Sequence, residues 1–188
     1  MSNTRVVLVT GGMGGLGETI STKMADAGYK VAVTYSPGNT KHAEWVAGMK
    51  GRGYDIAAVP CDVADLDSCA KAVAEVTAKV GPVDVLVNNA GITRDMTFKK
   101  MDKVNWDAVM RTNLDSVFQV GQAVARCMIP RGRGRIINIC SVMSELGRPG
   151  IVPYTASKGA VKMLTKGMAV DLGPLGINVN GIGPGYFK

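Results

Sequence analysis

The sequence predicts an α/β fold, a doubly wound parallel sheet of about six strands with helices on both faces. Two observations support this prediction. Short runs of β-branched and other apolar residues alternate with helix-length segments along the whole chain. The runs are also too continuously apolar for a sheet with one face in water, so helices must cover both faces. The 188 residues fit one domain, residues 1–188, with no linker, internal repeat or low-complexity segment.

Six strands are predicted from the apolar runs, and five helical segments from apolar residues spaced by three and four positions. The strands cover residues 5–10, 30–35, 54–60, 83–88, 135–141 and 177–183. The helical segments lie near residues 15–28, 40–52, 66–80, 100–129 and 154–173. Because helices connect parallel strands by right-handed crossovers, the carboxyl ends of the strands share one edge, where such sheets bind ligands.

Composition and charge limit the classes of function. No stretch approaches the length of a membrane-spanning helix, and the N-terminus lacks the zones of a signal peptide, so we expect a cytoplasmic protein. The net charge is +7, and residues 91–188 carry 14 basic and 6 acidic groups. Such a bias suits a phosphorylated cofactor, an acyl thioester with a phosphate-rich handle, or nucleic acid. The four cysteines form no C-x-x-C pair, and there is one histidine, so no metal site is expected.

A glycine-rich loop follows the first predicted strand. The segment TGGMGGLG runs from Thr10 to Gly17 and leads into the first helix, with Gly11, Gly15 and Gly17 spaced G-x-x-x-G-x-G. Glycine lets the backbone approach a phosphate closely, and the helix start offers unpaired N–H groups and the positive end of its dipole. The loop therefore predicts a dinucleotide pyrophosphate site, the alternative being a tight turn.

The turn after the second strand indicates which dinucleotide is bound. In NAD sites an acidic residue near the end of that strand binds the ribose 2′-OH, and it would repel a 2′-phosphate. No acidic residue occurs between Lys30 and Glu44, while Ser36, Thr40 and Lys41 supply the donors that a phosphate needs. We therefore predict NADP(H) as the cofactor, the alternative being an ordinary polar turn.

Four residues have the chemistry of a proton-transfer site. Tyr154 and Lys158 start a helical segment, and their side chains project from one face about 6 Å apart along its axis. A phenol, with a pKa of about 10, exchanges a proton at neutral pH when an ammonium about 4 Å away stabilises its anion. Ser141 closes the predicted fifth strand, where its hydroxyl can hold a carbonyl oxygen. Asn113 is a poor helix former inside a long helical segment, so it either faces solvent or has a function.

Together these motifs resemble the short-chain dehydrogenase/reductase family. Its glycine loop, NNAG, mid-helix Asn, Ser, YxxxK and PG motifs occur here in the same order. The resemblance implies a Rossmann fold and a catalytic tetrad of Asn113, Ser141, Tyr154 and Lys158. It implies that Ser141 orients a ketone and Tyr154 delivers the proton. Lys158 would hold the nicotinamide ribose and favour the phenolate, and Asn113 would anchor a water relay.

The resemblance also assigns residues to the cofactor. Gly11, Gly15 and Gly17 would bind the pyrophosphate, as the glycine loop already indicates. The further contacts that the resemblance implies are Leu16 for the pyrophosphate, Asp62 and Val63 for the adenine, Asn89 and Gly91 for the adenosine-side ribose and the cofactor edge, and Pro184 and Gly185 for the nicotinamide.

Two parts of the chain resemble different members of the family. Residues 1–141 are similar to bacterial acetoacetyl-CoA reductases of polyhydroxybutyrate synthesis, and residues 142–188 to gluconate 5-dehydrogenase. We expect NADPH-dependent reduction of a 3-oxoacyl thioester, above all acetoacetyl-CoA to (R)-3-hydroxybutyryl-CoA. The alternatives are a 3-oxoacyl-carrier-protein reductase, a sugar-acid oxidoreductase like gluconate 5-dehydrogenase, and an inactive NADP-binding fragment. No nucleic-acid or membrane partner is expected.

The resemblance also bears on assembly and length. The segments 100–129 and 154–173 carry more apolar residues than one sheet face needs, and family members pair these helices, which predicts a homodimer or homotetramer. Family members continue beyond the PGY segment with a lid and a seventh strand. We therefore expect this chain to lack both, to bind NADPH, to turn over weakly or not at all, and to associate through the open edge of its sixth strand.

Overall fold

The computed structural model describes residues 4–186, and it contains a six-stranded parallel sheet covered by helices on both faces. Residues 1–3 and 187–188 of the predicted domain lie outside the described part. The strands are β1 (Val6–Val9), β2 (Lys30–Tyr35), β3 (Ile56–Pro60), β4 (Val83–Asn88), β5 (Gly134–Ile139) and β6 (Ile177–Ile182). The helices are α1 (Gly15–Asp26), α2 (His42–Gly51), α3 (Leu66–Lys79), α4 (Lys103–Met110), α5 (Ser116–Met128) and α6 (Val152–Leu172). The predicted fold class is confirmed.

The order of the strands creates a crevice near the middle of the sheet. The order is β3-β2-β1-β4-β5-β6, and every neighbouring pair is parallel. The chain therefore winds outward from β1 in one direction and from β4 in the other. Doubly wound sheets bind ligands outside the carboxyl ends of the strands where the winding direction reverses. Here that point lies between β1 and β4.

Alternate residues of each strand pack against different helical layers. On β1, Val7 and Val9 belong to the apolar cluster beneath α1 and α2, whereas Val6 and Leu8 belong to the cluster beneath α3, α5 and α6. Val7, Leu8 and Val9 have no exposed surface. Burial on both faces explains why the strands of this sequence are continuous apolar runs.

A row of buried polar side chains crosses the sheet beneath α6. Asn88 on β4 and Asn138 on β5 are directly opposite each other in the strand register. The side-chain amide of Asn88 donates to Oδ1 of Asn138 (2.9 Å), whose own amide donates to Oγ1 of Thr165 (2.9 Å). The Thr165 hydroxyl in turn donates to the carbonyl of Val161 (2.7 Å). Each member of the row therefore has a partner, which offsets the cost of its burial.

The structure differs from the prediction in two places that matter for the site. The predicted helix 100–129 consists of a short 3₁₀ turn at Phe98–Lys100, then α4 and α5 joined by a π turn at Arg111–Asp115. The predicted fifth strand ends at Ile139, and Ser141 caps the 3₁₀ turn Val142–Ser144 instead of closing the strand. Within residues 4–186, no helix is both long and apolar enough to cross a membrane.

Candidate active site

Two clefts lie side by side along the carboxyl edge of the sheet. The first cleft has a volume of about 550 Å³. It is lined by Gly11, Gly14, Leu16, Gly17, Thr34, Tyr35, Ser36, Cys61, Asp62, Val63, Asn89, Ala90, Gly91, Ile92 and Thr112. The second cleft has a volume of about 410 Å³. It is lined by Leu16, Asn89, Gly91, Ile92, Thr93, Ile139, Cys140, Ser141, Tyr154, Lys158, Pro184 and Gly185. Because several residues line both clefts, the two form one continuous groove.

The glycine loop is shaped for the close approach of a phosphate group. Gly11 has a φ of 60°, a conformation that favours glycine. A Cβ at Gly17 would lie 2.3 Å from the carbonyl oxygen of Gly11, so no larger residue fits there without a shift of the backbone. Gly14 precedes α1 and offers no side-chain cap. The N–H groups of Gly15 and Leu16 therefore remain open to an anion in the first cleft, whereas the N–H of Gly17 donates to the carbonyl of Gly14 (2.9 Å).

Thr10 and Asn89 hold the glycine loop against the end of β4. The Thr10 hydroxyl accepts the backbone N–H groups of Asn89 (2.9 Å) and Ala90 (3.0 Å). In return, the side-chain amide of Asn89 donates to the carbonyls of Thr10 (2.9 Å) and Gly11 (3.2 Å). Asn89 thus lines both clefts while its amide braces the loop. The sequence places Thr10 at the start of the loop, but its role in bracing the loop was not predicted.

The turn between β2 and α2 forms one wall of the first cleft. Ser36 lines the cleft, whereas Thr40 and Lys41 are exposed on the same turn and are not among the lining residues. The ring of Tyr35 stacks on that of His42 with centroids 4.4 Å apart, which ties the start of α2 to the end of β2. The three predicted phosphate contacts therefore lie on one turn. Of the three, only Ser36 lines the first cleft.

The residues predicted to contact adenine lie next to this turn, since the N–H of Cys61 donates to the carbonyl of Tyr35 (2.8 Å). Asp62 and Val63 follow β3 and line the first cleft, as does Cys61. A carboxylate oxygen of Asp62 accepts the N–H of Ala64 (3.0 Å), and the N–H of Asp62 donates to the Ser68 hydroxyl (2.9 Å). These bonds fix the loop between β3 and α3, so the wall of the cleft has a defined shape.

Tyr154, Lys158 and Ser141 meet in the second cleft with Pro184 and Gly185. The Lys158 side chain is 4% exposed, and its ammonium donates to the carbonyl of Ile139 at the end of β5 (2.7 Å). Burial lowers the pKa of Lys158 to about 8, so the group remains mostly charged at neutral pH. Its Nζ lies 5.8 Å from the centre of the Tyr154 ring. The lysine therefore brings a positive charge close to the phenol.

Ser144 connects the turn of Ser141 to the helix of Tyr154 and Lys158. The Ser141 hydroxyl accepts the N–H of Met143 (3.1 Å), while the Ser144 hydroxyl accepts the N–H of Ser141 (3.3 Å) and donates to the carbonyl of Lys158 (3.0 Å). This capping box holds Ser141 in a fixed position relative to α6. The sequence analysis missed Ser144, although the S-x-x-S spacing was a signal of such a cap.

Asn113 is fully buried in the π turn, so it does not face solvent. Its Oδ1 accepts the N–H of Ile92 (2.8 Å), and its amide donates to the carbonyl of Ile92 (3.0 Å) and to the Ser157 hydroxyl (3.2 Å). The Ser157 hydroxyl donates to the carbonyl of Tyr154 (2.7 Å). Asn113 therefore links the loop after β4 to the first turn of α6. Ser157 was also missed, because its contact is made with a distant helix.

The site combines two hydroxyl groups and a buried ammonium with a groove shaped for a dinucleotide. These groups can bind and protonate a carbonyl oxygen. Among residues 4–186, no group of three or more His, Cys, Asp or Glu side chains is arranged to hold a metal ion. The fold and the site together define a dinucleotide-binding oxidoreductase. Residues 5–188 match the short chain dehydrogenase family, and the chain belongs to this family.

The relatives differ in their named substrates. The chain is 48% identical over 184 residues to a gluconate 5-dehydrogenase of Gluconobacter oxydans, covering 96% of this chain and 70% of the relative. It is 45% identical over 185 residues to an acetoacetyl-CoA reductase of Allochromatium vinosum, covering 98% of this chain and 75% of the relative. A solved structure of a gluconate 5-dehydrogenase from Burkholderia cenocepacia, in complex with NADP and tartrate, superposes with a TM-score of 0.91 at 46% identity. The match covers 98% of this chain and 72% of that structure's chain.

Proposed function

We propose that this chain reduces a ketone with NADPH, and that the ketone is a 3-oxoacyl thioester, with acetoacetyl-CoA as the first candidate and (R)-3-hydroxybutyryl-CoA as its product. The observation that carries the proposal is the continuous groove, in which the second cleft opens directly from the first. A dinucleotide that follows this groove reaches the three polar groups of the second cleft. A relative solved with NADP supports the choice of cofactor.

The glycine loop fits the cofactor on the geometry described above. Gly11, Gly15, Leu16 and Gly17 would hold the pyrophosphate at the start of α1. Ser36, Thr40 and Lys41 would bind the 2′-phosphate, Asp62 and Val63 would contact the adenine, and Asn89 and Gly91 would contact the ribose and the cofactor edge. Pro184 and Gly185 would contact the nicotinamide. NADPH, when bound, supplies a hydride to the carbonyl carbon of the substrate.

The chain's own side chains handle the carbonyl oxygen and its proton. Ser141 donates a hydrogen bond that orients the oxygen, and Tyr154 delivers a proton to it as negative charge develops there. Lys158 holds the nicotinamide ribose and stabilises the phenolate that remains on Tyr154. Asn113 anchors the loop at Ile92 and a water relay that returns a proton to the site.

The second candidate substrate is a keto sugar acid such as 5-ketogluconate. It is favoured by the relative at 48% identity and by residues 142–188, which resemble gluconate 5-dehydrogenase. A 3-oxoacyl-carrier-protein substrate is the third candidate, and an NADP-binding protein without turnover is the alternative to all three. We further propose a cytoplasmic homodimer or homotetramer.

A substrate panel tests this proposal. Acetoacetyl-CoA, acetoacetyl-carrier protein and 5-ketogluconate are each supplied with NADPH, and the loss of its absorbance is followed at equal protein concentration. We expect the highest kcat/KM with acetoacetyl-CoA. A higher kcat/KM with 5-ketogluconate would assign the chain to the sugar-acid reductases and reject the thioester.

Tyr154→Phe supplies the matched control for the same panel. Because the phenol transfers the proton while the glycine loop holds the dinucleotide, we expect turnover to fall by at least about 100-fold with the NADPH dissociation constant nearly unchanged. Lys158→Ala should lower turnover and also weaken NADPH binding. If Tyr154→Phe kept the parent's turnover on an active substrate, another group would have to supply the proton.

A further inference from the structure

Cys61 and Cys69 lie together at the wall of the first cleft. Both side chains are buried, 3% and 0% exposed, and both belong to the apolar cluster beneath α3. Cys61 also lines the first cleft. The Sγ of Cys69 lies 3.7 Å from the carbonyl oxygen of Asp62 and 3.5 Å from that of Val63, the two residues after Cys61. The two cysteines are therefore neighbours although eight positions separate them.

The Ser68 side chain already closes the loop between the two cysteines, since Ser68 and Asp62 each lie next to one of them. The N–H of Cys61 donates to the carbonyl of Tyr35 on β2 (2.8 Å), and the N–H of Cys69 donates to that of Asp65 in the first turn of α3 (3.0 Å). The Ser68 hydroxyl accepts the N–H of Asp62 across the loop (2.9 Å). The ends of the loop are thus held near each other before any covalent bond forms.

The environment of the pair favours reaction at Cys61. The neighbouring Cys69 thiol is the main reason why the pKa of Cys61 lies below that of an ordinary thiol. The Ser68 hydroxyl acts in the same direction, whereas burial and the carboxylates of Asp62 and Asp65 oppose it. Thiolate is the form of cysteine that reacts with oxidants, so Cys61 is the sulfur that attacks and Cys69 the one that resolves.

We propose that Cys61 and Cys69 form a reversible disulfide that weakens dinucleotide binding in the first cleft. The Cys61 thiolate attacks the O–O bond of hydrogen peroxide, giving a sulfenic acid and, with one proton, water. The Cys69 thiol then attacks the Cys61 sulfur, forms the S–S bond and releases a second water. Two thiols and one peroxide thus give one disulfide and two waters, and a thiol reductant reverses the change.

The disulfide weakens dinucleotide binding because it changes the loop between β3 and α3, which forms the adenine wall of the first cleft. The bond must bring the two sulfurs to bonding distance, and the carbonyl oxygens of Asp62 and Val63 lie 3.7 Å and 3.5 Å from the sulfur of Cys69. Their positions in the first cleft therefore shift. This part of the inference rests on the proposed function, since it takes the ligand of the first cleft to be NADPH.

The test uses the full chain with Cys127→Ser, because Cys127 is exposed and would react between molecules. The protein is treated with one equivalent of hydrogen peroxide, alkylated and digested with trypsin. Residues 53–71 form one tryptic peptide that contains both cysteines. We expect this peptide to be unalkylated and lighter by two hydrogens, and expect dithiothreitol to restore it. A peptide that gains only oxygen atoms, or that stays fully alkylated, overturns the proposal.

NADPH binding is measured on the same samples by fluorescence titration. Oxidation should raise the dissociation constant on the order of tenfold, and Cys69→Ala or Cys69→Ser should bind like the reduced parent before and after peroxide. A disulfide with unchanged affinity overturns the link to binding. If the reduced protein does not bind NADPH, the proposed function fails, while the peptide mass still decides whether the disulfide forms.

Discussion

At the residue scale, the buried charge of Lys158 has the clearest energetic consequence. Lys158 is 4% exposed, yet it is held by one carbonyl, that of Ile139, and faces no carboxylate close enough to form an ion pair among the described residues. Keeping its charge without a counter-ion costs free energy, and this cost is the origin of its lowered pKa. The second cleft therefore keeps this charge at the expense of stability.

This cost predicts how the free energy of unfolding depends on pH. Below pH 8 the lysine is charged in both states, and the native state bears the full penalty. Between pH 8 and its ordinary value of 10.5, the folded lysine loses its proton while the unfolded one keeps it. The unfolded state then binds more protons, so the free energy of unfolding rises with pH across this window, by about 3 kcal/mol at most.

Urea unfolding of the parent and of Lys158→Met, at several pH values in this window, measures the effect. The free energy of unfolding of the parent should rise relative to that of the variant as pH increases. Lys79→Met, which removes an exposed lysine from α3, is the matched control. A difference between parent and Lys158→Met that does not change with pH would contradict the prediction.

At the element scale, the sequence predicted all six strands because burial on both faces leaves an unbroken apolar run. The helical segments were also found, but the break in the longest one was not. The π turn at Arg111–Asp115 depends on the hydrogen bonds of Asn113 to Ile92, which is 21 residues away. Helical periodicity is a local signal and carries no information about such a distant bond.

The same limit applies to the candidate site. Gly17, Ser141 and Lys158 could be predicted because their chemistry follows from residue type and from position at the ends of strands or helices. Ser144 and Ser157 were missed because each gains its role from a partner on another element, the carbonyl of Lys158 for Ser144 and the amide of Asn113 for Ser157. Serine alone is too common in turns to indicate such a contact.

The turn between β2 and α2 yields the prediction at this scale. With no acidic side chain in the turn and Lys41 exposed beside it, NADPH should bind more tightly than NADH. Lys41→Glu replaces an attractive charge by a repulsive one, so we expect its NADPH affinity to fall on the order of tenfold and its NADH affinity to change little.

Isothermal titration of both cofactors checks the expected preference. Lys50→Glu makes the same change of charge at the other end of α2 and serves as the matched control. Equal dissociation constants of NADPH and NADH in the parent chain would show that the turn does not bind the phosphate.

At the scale of the whole molecule, the outer surface of α5 and α6 is unusually apolar. An apolar groove of about 490 Å³ runs between the two helices. Phe118 lines it with 51% of its surface exposed, and Met163 and Val170 on α6 are 60% and 74% exposed. Large exposed apolar patches on soluble domains are typical of interfaces. The predicted homodimer would bury this surface by pairing α5 and α6 with a second copy.

Phe118→Glu tests the pairing. The change removes an apolar contact worth about 2 kcal/mol from each copy and places a charge in the groove, so the dimer should dissociate at least about tenfold more readily. Light scattering coupled to size exclusion reports the mass at micromolar concentration. Val104→Glu, at an exposed position of α4, is the matched control. A monomeric parent would count against the pairing.

The polar row beneath α6 helps to determine the register in which β4 and β5 pair. Valine and isoleucine can face one another at many offsets with similar packing, so an apolar pair such as Leu86 and Ile136 discriminates weakly between slipped pairings. If β4 slid by two residues along β5, Asn88 would face Ile136, and its amide would lose its partner at a cost of about 1–3 kcal/mol. Oδ1 of Asn138 would lose its donor as well, while the Asn138 amide would still donate to Thr165. The two asparagines therefore favour the observed register of β4 against β5 over slipped pairings while the chain assembles.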